Sequence, residues 1–325
     1  MFFFLEHILF NNFQGFDMKK TLIALAAIAA VGAASAQSTL YGVVDLGISK
    51  VTDKDAQISS GGYSTSRLGV KGFTDLGGGL KGSYMVETGF NAADGATETY
   101  LGNRGASAGI SGSYGSLSLG RQFTPYSTSF WNEPLEYDGF STFYFGRVQS
   151  DHYWQSNSVL YKTPDMNGFT ASAMYSGIAG DNISAGTYFS VGGNYVTGPF
   201  TLDAAYESSK VTPTNVTTTG WNVAGAYNAG FATLYAALQG GDNGGTNKQS
   251  SWDLGAGIPL GDGMTAQLGY YSVKVVDTNS YLAAVLVKEW NKQTRLYGGF
   301  VTSSMKEPST AKDSTTVKAG VRYSF

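Results

Sequence analysis

The feature that most limits the fold of this chain is an alternation of apolar and polar side chains with a period of two residues. One face of the segment 200–207 carries Phe200, Leu202, Ala204 and Tyr206. Successive side chains of a β-strand point to opposite sides, so this period predicts strands whose two faces meet different surroundings. The same layout recurs at 169–176, 221–228, 252–258, 264–270 and 317–325.

Aromatic residues stand at the ends of these apolar faces, and small apolar residues lie between them. Phe200 and Tyr206, for example, bracket Leu202 and Ala204. Amphipathic rings settle at the two interfaces between lipid and water, whereas the core of a soluble sandwich gives no reason to place rings at strand tips. We therefore expect the apolar faces to meet lipid. The segment 281–290 is apolar on both sides, so the pattern assigns neither of its faces.

The composition excludes several other classes of protein. Of 325 residues, 44 are glycine, 21 tyrosine, 19 phenylalanine and 7 proline, and 14% are charged. Glycine costs up to ~1 kcal/mol at each helical position, which argues against a helix-rich domain. The absence of cysteine excludes disulfides, thiol catalysis and cysteine-based zinc sites. A net charge of −3 offers no basic excess for a nucleic-acid backbone, so we expect no nucleic-acid partner.

The N-terminal part has the pattern of a secretory signal peptide. A basic start at 18–20 precedes an apolar run at 22–34, and Ala34-Ser35-Ala36 supplies a small-x-small cleavage site. The run is too short to cross a bilayer as a helix. We therefore predict a signal peptide at 18–36 that is cleaved between Ala36 and Gln37.

Connections between the predicted strands alternate between tight turns and longer polar loops. Seven tight turns, such as those at 77–79 and 198–199, separate eight longer stretches. Fifteen connections join sixteen strands, and short turns at one rim with long loops at the other are typical of an up-and-down membrane barrel. We predict an all-β fold, a transmembrane up-and-down antiparallel β-barrel of about 16 strands, as a single domain at 37–325. Such a barrel encloses a water-filled channel. Residues 1–17 are interpreted as a wrongly assigned upstream extension.

One loop, at 124–156 after the predicted fifth strand, differs from the others in length and composition. It holds ten aromatic residues together with acids that include Glu133, Glu136 and Asp138. A solvated external loop would not carry so many rings. We predict that this third long loop folds into the lumen, where its rings pack on the wall and its carboxylates face water.

Basic residues are expected across the channel from that loop. Arg67 and Lys71 flank Leu68 and Val70, which are assigned to the lipid face, and Arg104 begins a later strand. Guanidinium groups on one side and carboxylates on the other would set a transverse field that filters solutes by size and charge.

Six short motifs, in this order, carry a family resemblance. They are Leu40-Tyr41-Gly42, Ser66-Arg67-Leu68-Gly69-Val70-Lys71-Gly72, Asn103-Arg104, Gly120-Arg121-Gln122, Gly146-Arg147-Val148 and Tyr323-Ser324-Phe325. From Gln37 to Phe325 the chain resembles a general trimeric porin of Gram-negative outer membranes, most similar to the beta-proteobacterial branch. Each motif is weak alone, but six in order across the mature chain are specific.

The resemblance implies roles for particular residues. It places Arg67, Arg104 and Arg147 on the basic side of the channel constriction, and an acid of Glu136-Tyr137-Asp138-Gly139 on the other side. It also implies that the terminal Phe325 is the signal recognised by the outer-membrane insertion machinery. A homotrimer in the outer membrane, in contact with lipid and lipopolysaccharide, is the expected assembly.

Two departures from the family pattern affect these expectations. Glu133-Pro134-Leu135-Glu136-Tyr137 replaces the usual Pro-Glu-Phe-Gly-Gly, which leaves open which acid faces the pore. Val43 stands where some relatives have a lysine, and Asp45 follows on the same face. The missing lysine at position 43 and the acid at position 45 weaken an inference of anion preference.

The predicted function is passive diffusion of ions and small hydrophilic solutes, with no cofactor and no metal. A substrate-specific channel is the alternative, in which a stacking track binds the solute. The candidate residues for this track are Trp131, Tyr144, Tyr153 and Trp154.

A barrel hydrolase would need a nucleophile beside a histidine. His152 is the one histidine of the predicted mature chain, and Asp151 could orient it, but no nucleophile motif flanks the pair. We therefore expect no enzymatic activity.

Overall fold

The computed structural model describes residues 36–97, 99–135, 140, 153–177, 186–211, 215–244, 248–274, 278–306 and 312–325. The predicted signal peptide, apart from Ala36, and the extension at 1–17 lie outside these residues. Within the described part of the chain, no helix is both long and apolar enough to cross a membrane.

Seventeen strands form one sheet. In chain order they are β1 (Ala36–Val51), β2 (Gln57–Ser60), β3 (Arg67–Gly77), β4 (Leu80–Gly89), β5 (Gly105–Gly112), β6 (Gly115–Phe123), β7 (Trp154–Lys162), β8 (Phe169–Ser176), β9 (Gly186–Thr197), β10 (Phe200–Val211), β11 (Val216–Asn228), β12 (Thr233–Asp242), β13 (Lys248–Gly261), β14 (Met264–Lys274), β15 (Thr278–Glu289), β16 (Thr294–Ser304) and β17 (Ser314–Ser324). One short helix, α1 (Pro125–Thr128), follows β6.

The sheet closes on itself through antiparallel neighbours. From β3 to β17 each strand pairs with the next, and β1 pairs with both β17 and β3. Both β2 and β3 pair with the same edge of β1. The four-residue β2 pairs with residues 46–49 of that edge, and β3 pairs with residues 36–43. The ring therefore has sixteen positions, and the predicted sixteen-stranded up-and-down barrel is confirmed.

The tight connections fall at the predicted places. The β9–β10 turn consists of Gly198 and Pro199, and Gly198 has a φ of +55°, which glycine adopts at little steric cost. All seven short turns lie at one end of the strands, which we call the turn rim. The longer connections lie at the opposite end, the loop rim.

The two faces of the strands differ as the alternation predicted. On β10 the outward Leu202 and Tyr206 are 50% and 41% exposed, whereas the inward Asp203 and Glu207 are 5% and 1% exposed. Outward apolar residues recur around the barrel and form the lipid-facing surface. Polar residues line the inside.

The structure also assigns the sides of β15, which the sequence pattern left open. Leu282 and Leu286 are exposed on the outside, while Ala283, Val285 and Val287 are buried on the inside. The inner side is apolar because it is covered by other apolar residues of the lumen rather than by water.

The covering comes from the loop between β6 and β7, residues 124–153, which we call the lumenal loop. Its helix α1 is capped by Thr124, whose hydroxyl accepts a hydrogen bond from the Ser127 amide. The Tyr126 amide donates to Ser190 Oγ of β9 at 3.2 Å, and Ser129 Oγ contacts Asn222 Oδ1 of β11 at 2.7 Å.

The loop then continues along the inner wall. Asn132 donates to a carboxylate oxygen of Asp203 on β10, and Leu135 and Phe140 pack on β15 and β16. The predicted insertion of this loop into the lumen is therefore confirmed for its described residues.

Candidate functional site

A cluster of charged side chains lies on the inner wall formed by β3 and β4. Glu87 of β4 accepts a hydrogen bond from Arg104 Nε at 2.9 Å, and its second carboxylate oxygen lies 3.6 Å from Arg67 Nε. The Tyr41 hydroxyl of β1 donates to the same second oxygen at 3.0 Å. Two predicted arginines are thus brought together by a carboxylate that the sequence analysis did not single out.

Glu87 was missed because its partners are set by strand pairing. Its position on the inward face of β4 follows from the alternation, but its neighbours follow from the register, which places Glu87 opposite Gly69 of β3. Gly69 has no side chain, and a Cβ there would lie 2.5 Å from the Tyr41 ring. The glycine therefore leaves room for Tyr41 to reach Glu87.

A cation–π contact holds Arg104, and hydrogen bonds hold Arg67. The Arg104 guanidinium carbon lies 5.0 Å from the Trp154 ring centroid. Arg67 Nη1 donates to Ser64 Oγ and to the Thr65 carbonyl at 3.1 and 3.0 Å. A planar guanidinium held at several points keeps its orientation, which is what a filter of charge needs.

Lys71 lies on the same inner face of β3, four residues from Arg67 toward the turn rim. Its ammonium group lies 4.9 Å from the Tyr41 ring centroid. Its side chain is exposed, whereas that of Arg67 is partly buried. It extends the basic wall along the channel.

Further cations lie on the neighbouring inner wall. Arg295 of β16 pairs in register with Arg322 of β17, and Lys318 lies four residues from Arg322 along the same inner face toward the loop rim. The Arg295 guanidinium is 5.7 Å from the Tyr63 ring centroid, and Lys318 Nζ is 5.5 Å from that of Phe140. The alternation had placed Lys318 and Arg322 inward, but only the closure of β17 on β1 brings them beside β3.

Three acids lie on the opposite wall under the lumenal loop, and a fourth, Glu133, belongs to the loop itself. The exposed fractions of Asp203, Glu207, Asp253 and Glu133 are 5%, 1%, 1% and 8%. Asp203 accepts hydrogen bonds from Asn194 and Asn132, and Glu207 accepts one from the Tyr188 hydroxyl at 2.7 Å. Glu133 of the lumenal loop is therefore buried together with these wall acids.

Asp45 is also removed from the channel water, although the sequence had suggested an inward acid that weakens anion preference. Its alternation places it on the inner face, and the structure confirms that side, but its exposed fraction is 0%. Its carboxylate is surrounded by hydrogen-bond donors. It therefore does not counter the basic wall as an exposed lumen charge.

Several predicted residues lie outside the described residues. These are Arg147, Glu136, Asp138, Tyr144, Asp151 and His152. Of the predicted stacking residues that are described, Tyr153 is 7% exposed, Trp131 is 53% exposed and Trp154 lies against the Arg104 guanidinium.

The C-terminal residue completes the closure of the barrel. Phe325 exchanges two backbone hydrogen bonds with Gly42 of β1, at 3.0 and 3.1 Å. Its ring is 52% exposed and stacks at 6.5 Å on that of Tyr323. Both rings belong to the outer surface at the turn rim.

In the described ranges, no group of three or more His, Asp or Glu residues is arranged to hold a metal ion.

A closed barrel of sixteen strand positions, apolar outside, polar inside and narrowed by an internal loop, is the architecture of an outer-membrane diffusion channel. The model of the Gram-negative porin family matches residues 21–325, and the chain belongs to this family. It forms a water-filled channel for passive diffusion of ions and small hydrophilic solutes across the outer membrane.

Individual outer-membrane proteins are similar to this chain in sequence or in structure. Outer membrane porin protein 32 of Delftia acidovorans is 32% identical, over 95% of this chain and 100% of that protein. Major outer membrane protein P.IB of Neisseria gonorrhoeae is 33% identical, over 55% of this chain and 53% of that protein. The solved structure of the anion-selective porin from Comamonas acidovorans superimposes with a TM-score of 0.80 at 25% identity, covering 89% of this chain and 100% of that one.

Proposed function

We propose that the channel prefers anions and that Arg67 and Arg104 form the basic side of its constriction, with Lys71 extending that side toward the turn rim. The observation that carries this proposal is the asymmetry of exposure between the two walls. The side chains of Arg67 and Arg104 are 21% and 11% exposed. The four acids opposite are at most 8% exposed.

Local charge supports the same preference. The cluster of Arg67, Arg104 and Glu87 carries two positive charges and one negative charge, so these three side chains have a net charge of +1. A charge at a water-filled constriction acts on passing ions within about a Debye length, ~10 Å at 0.1 M salt. The similar structure from Comamonas acidovorans is described as anion-selective.

The test is a reversal potential in planar bilayers under a gradient of potassium chloride. Replacing both arginines (Arg67→Gln, Arg104→Gln) should shift the reversal potential toward that of a cation-selective channel. Lys292→Gln is the matched control, because Lys292 is an exposed cation in a turn and its replacement removes a charge away from the constriction. An unchanged reversal potential in the double variant would show that the two arginines do not line the constriction.

A substrate-specific channel is the second candidate function. Trp131 of the lumenal loop is 53% exposed, and its ring lies edge-on to Phe123 at 5.1 Å. An exposed ring in a water-filled lumen can stack on a planar solute. Saturable block of the current by an aromatic carboxylate, lost in Trp131→Ala, would support this candidate, whereas current proportional to bulk conductivity would support the general channel.

Other roles remain proposals. As the family resemblance implies, Arg147 is assigned to the basic side of the constriction, and Glu136 or Asp138 to its acidic side. Glu133 is a further candidate for the acidic side. The same resemblance supports a homotrimer, contact with lipopolysaccharide, and Phe325 as the signal for the barrel insertion machinery.

We also propose that the channel has no enzymatic activity. The family is a family of channels, and His152→Ala should leave the conductance unchanged. Loss of a hydrolytic activity in that variant would refute this proposal.

A further inference from the structure

Between β2 and β3 the chain leaves the barrel wall and forms an inward loop at residues 61–66. On β1, the partner of Ser60 is Leu46 and the partner of Arg67 is Val43. Six residues of one edge therefore stand opposite two residues of the other. An excess of this size cannot stay in the ladder and must bulge out of it.

The bulge points into the lumen. The Tyr63 ring stacks on Tyr297 of β16 with 5.4 Å between ring centroids. The Tyr63 hydroxyl reaches Gln267 of β14 at 3.2 Å. Around the ring, β1 and β17 lie between β3 and β16, and β16 and β15 lie further between these and β14, so these contacts are made across the inside of the barrel.

Asp45 of β1 is the residue around which the inward loop is built. Its Oδ1 atom accepts from the Gly62 amide at 3.1 Å and from the Tyr297 hydroxyl at 2.7 Å. Its Oδ2 atom accepts from the amides of Tyr63 and Ser64 at 3.2 and 2.9 Å. Successive amides that converge on one anion form a nest, which fixes the backbone of the loop that supplies them.

The backbone of Asp45 closes the base of the same loop. Its amide donates to Ser66 Oγ at 3.0 Å, and its carbonyl accepts from the Gly61 amide at 3.1 Å. With an exposed fraction of 0%, this carboxylate makes no contact with channel water. A buried charge of this kind is stable only while its donors stay in place.

Tyr63 carries the effect of Asp45 to the lumenal loop. Its ring centroid lies 6.4 Å from that of Phe140, and Leu135 belongs to the same buried cluster on β15 and β16. Leu135 and Phe140 are both 0% exposed. In sequence they bracket Glu136 and Asp138.

We propose that Asp45 is the positioning residue of the lumenal loop. Its carboxylate holds the inward loop, and Tyr63 of the inward loop clamps Leu135 and Phe140 against the inner wall. The bore of the channel is then set by a carboxylate that no solute touches. The proposal rests on the channel function, but its first test does not measure conduction.

The test uses the absence of cysteine from the chain. Leu135→Cys is introduced into the native protein and into Asp45→Ala, and the folded proteins are treated with a membrane-impermeant thiol reagent. We expect labelling of position 135 to become about tenfold faster or more in the Asp45→Ala background, because the clamp opens locally.

Phe130→Cys is the matched reporter at the other anchor of the lumenal loop. Phe130 is also 0% exposed, but it packs on Tyr126 and Ala205, away from the inward loop. Its labelling should not change in Asp45→Ala. Asp53→Asn controls for charge, because Asp53 is an exposed acid between β1 and β2 and its loss should leave both positions protected.

A second variant keeps the proposal testable if Asp45→Ala does not assemble. Tyr63→Ala leaves Asp45 and its amide donors in place and removes only the clamping ring, and it should also expose position 135. In bilayers, both variants should show more current fluctuation and a larger size limit for oligosaccharides than the native channel. Unchanged labelling at position 135, or equal increases at positions 130 and 135, would overturn the proposal.

Discussion

Removing the carboxylate of Glu87 should make the channel more selective for anions. In Glu87→Gln, the side-chain volume is retained and the amide oxygen can still accept from Arg104, so the wall should keep its shape. The net charge of the cluster formed by Arg67, Arg104 and residue 87 rises from +1 to +2. The change is therefore one positive charge at a fixed place in the lumen.

The size of the effect follows from Coulomb's law. A unit charge about 7 Å from a passing ion changes the energy of that ion by ~0.6 kcal/mol at the dielectric constant of water. Screening at 0.1 M salt, with a Debye length of ~10 Å, reduces this to ~0.3 kcal/mol. Because anions gain and cations lose this amount, the anion-to-cation permeability ratio should rise about threefold. At 1 M salt, with a Debye length of ~3 Å, the change should fall to about 1.2-fold.

The assay is the reversal potential of single channels in potassium chloride gradients centred on 0.1 M and on 1 M. Arg67→Gln should shift the ratio in the opposite direction by a similar factor, because it removes one positive charge from the same cluster. An unchanged ratio at 0.1 M in Glu87→Gln, or a shift that does not weaken with salt, would refute the electrostatic account. A loss of channels from the membrane would instead show that Glu87 is needed for folding.

Three further outcomes are expected. Asn222→Ala removes the hydrogen-bond partner of Ser129 and Tyr126, and this should weaken docking of the lumenal loop by about 1–2 kcal/mol. The expected result is increased current noise, while the thermal stability of the barrel is unchanged. Deletion of Phe325 should lower the fraction of chains that reach the folded state in membranes, measured by heat-dependent gel mobility, with Phe325→Trp as the control that keeps an aromatic end. Mass spectrometry of the exported protein should find Gln37 as its first residue, and a first residue upstream of Gln37 would show that the predicted cleavage is wrong.

The sequence alone determined the barrel. Alternation is a local property, because each side chain of a strand meets either lipid or water according to its own parity. The segment from Phe200 to Tyr206 could therefore be assigned to the correct faces without knowledge of any other strand. Turn positions such as Gly198 are equally local, and the composition of the long loop was enough to predict that it lies inside.

Only the tertiary structure decided which inward residues meet. Glu87 and Arg104 are 17 residues apart in the chain, and Asp45 and Tyr297 are 252 apart. Their contacts depend on strand register and on the closure of β1 against β17, which the period of two does not encode. The sides of β15 were undecidable for the same reason, since its inner face is apolar only because Leu135 and Phe140 cover it. The alternation along a strand determines whether a side chain points into the lumen or toward lipid. The residues that this side chain contacts can be hundreds of positions away in the sequence, and register and closure determine which they are.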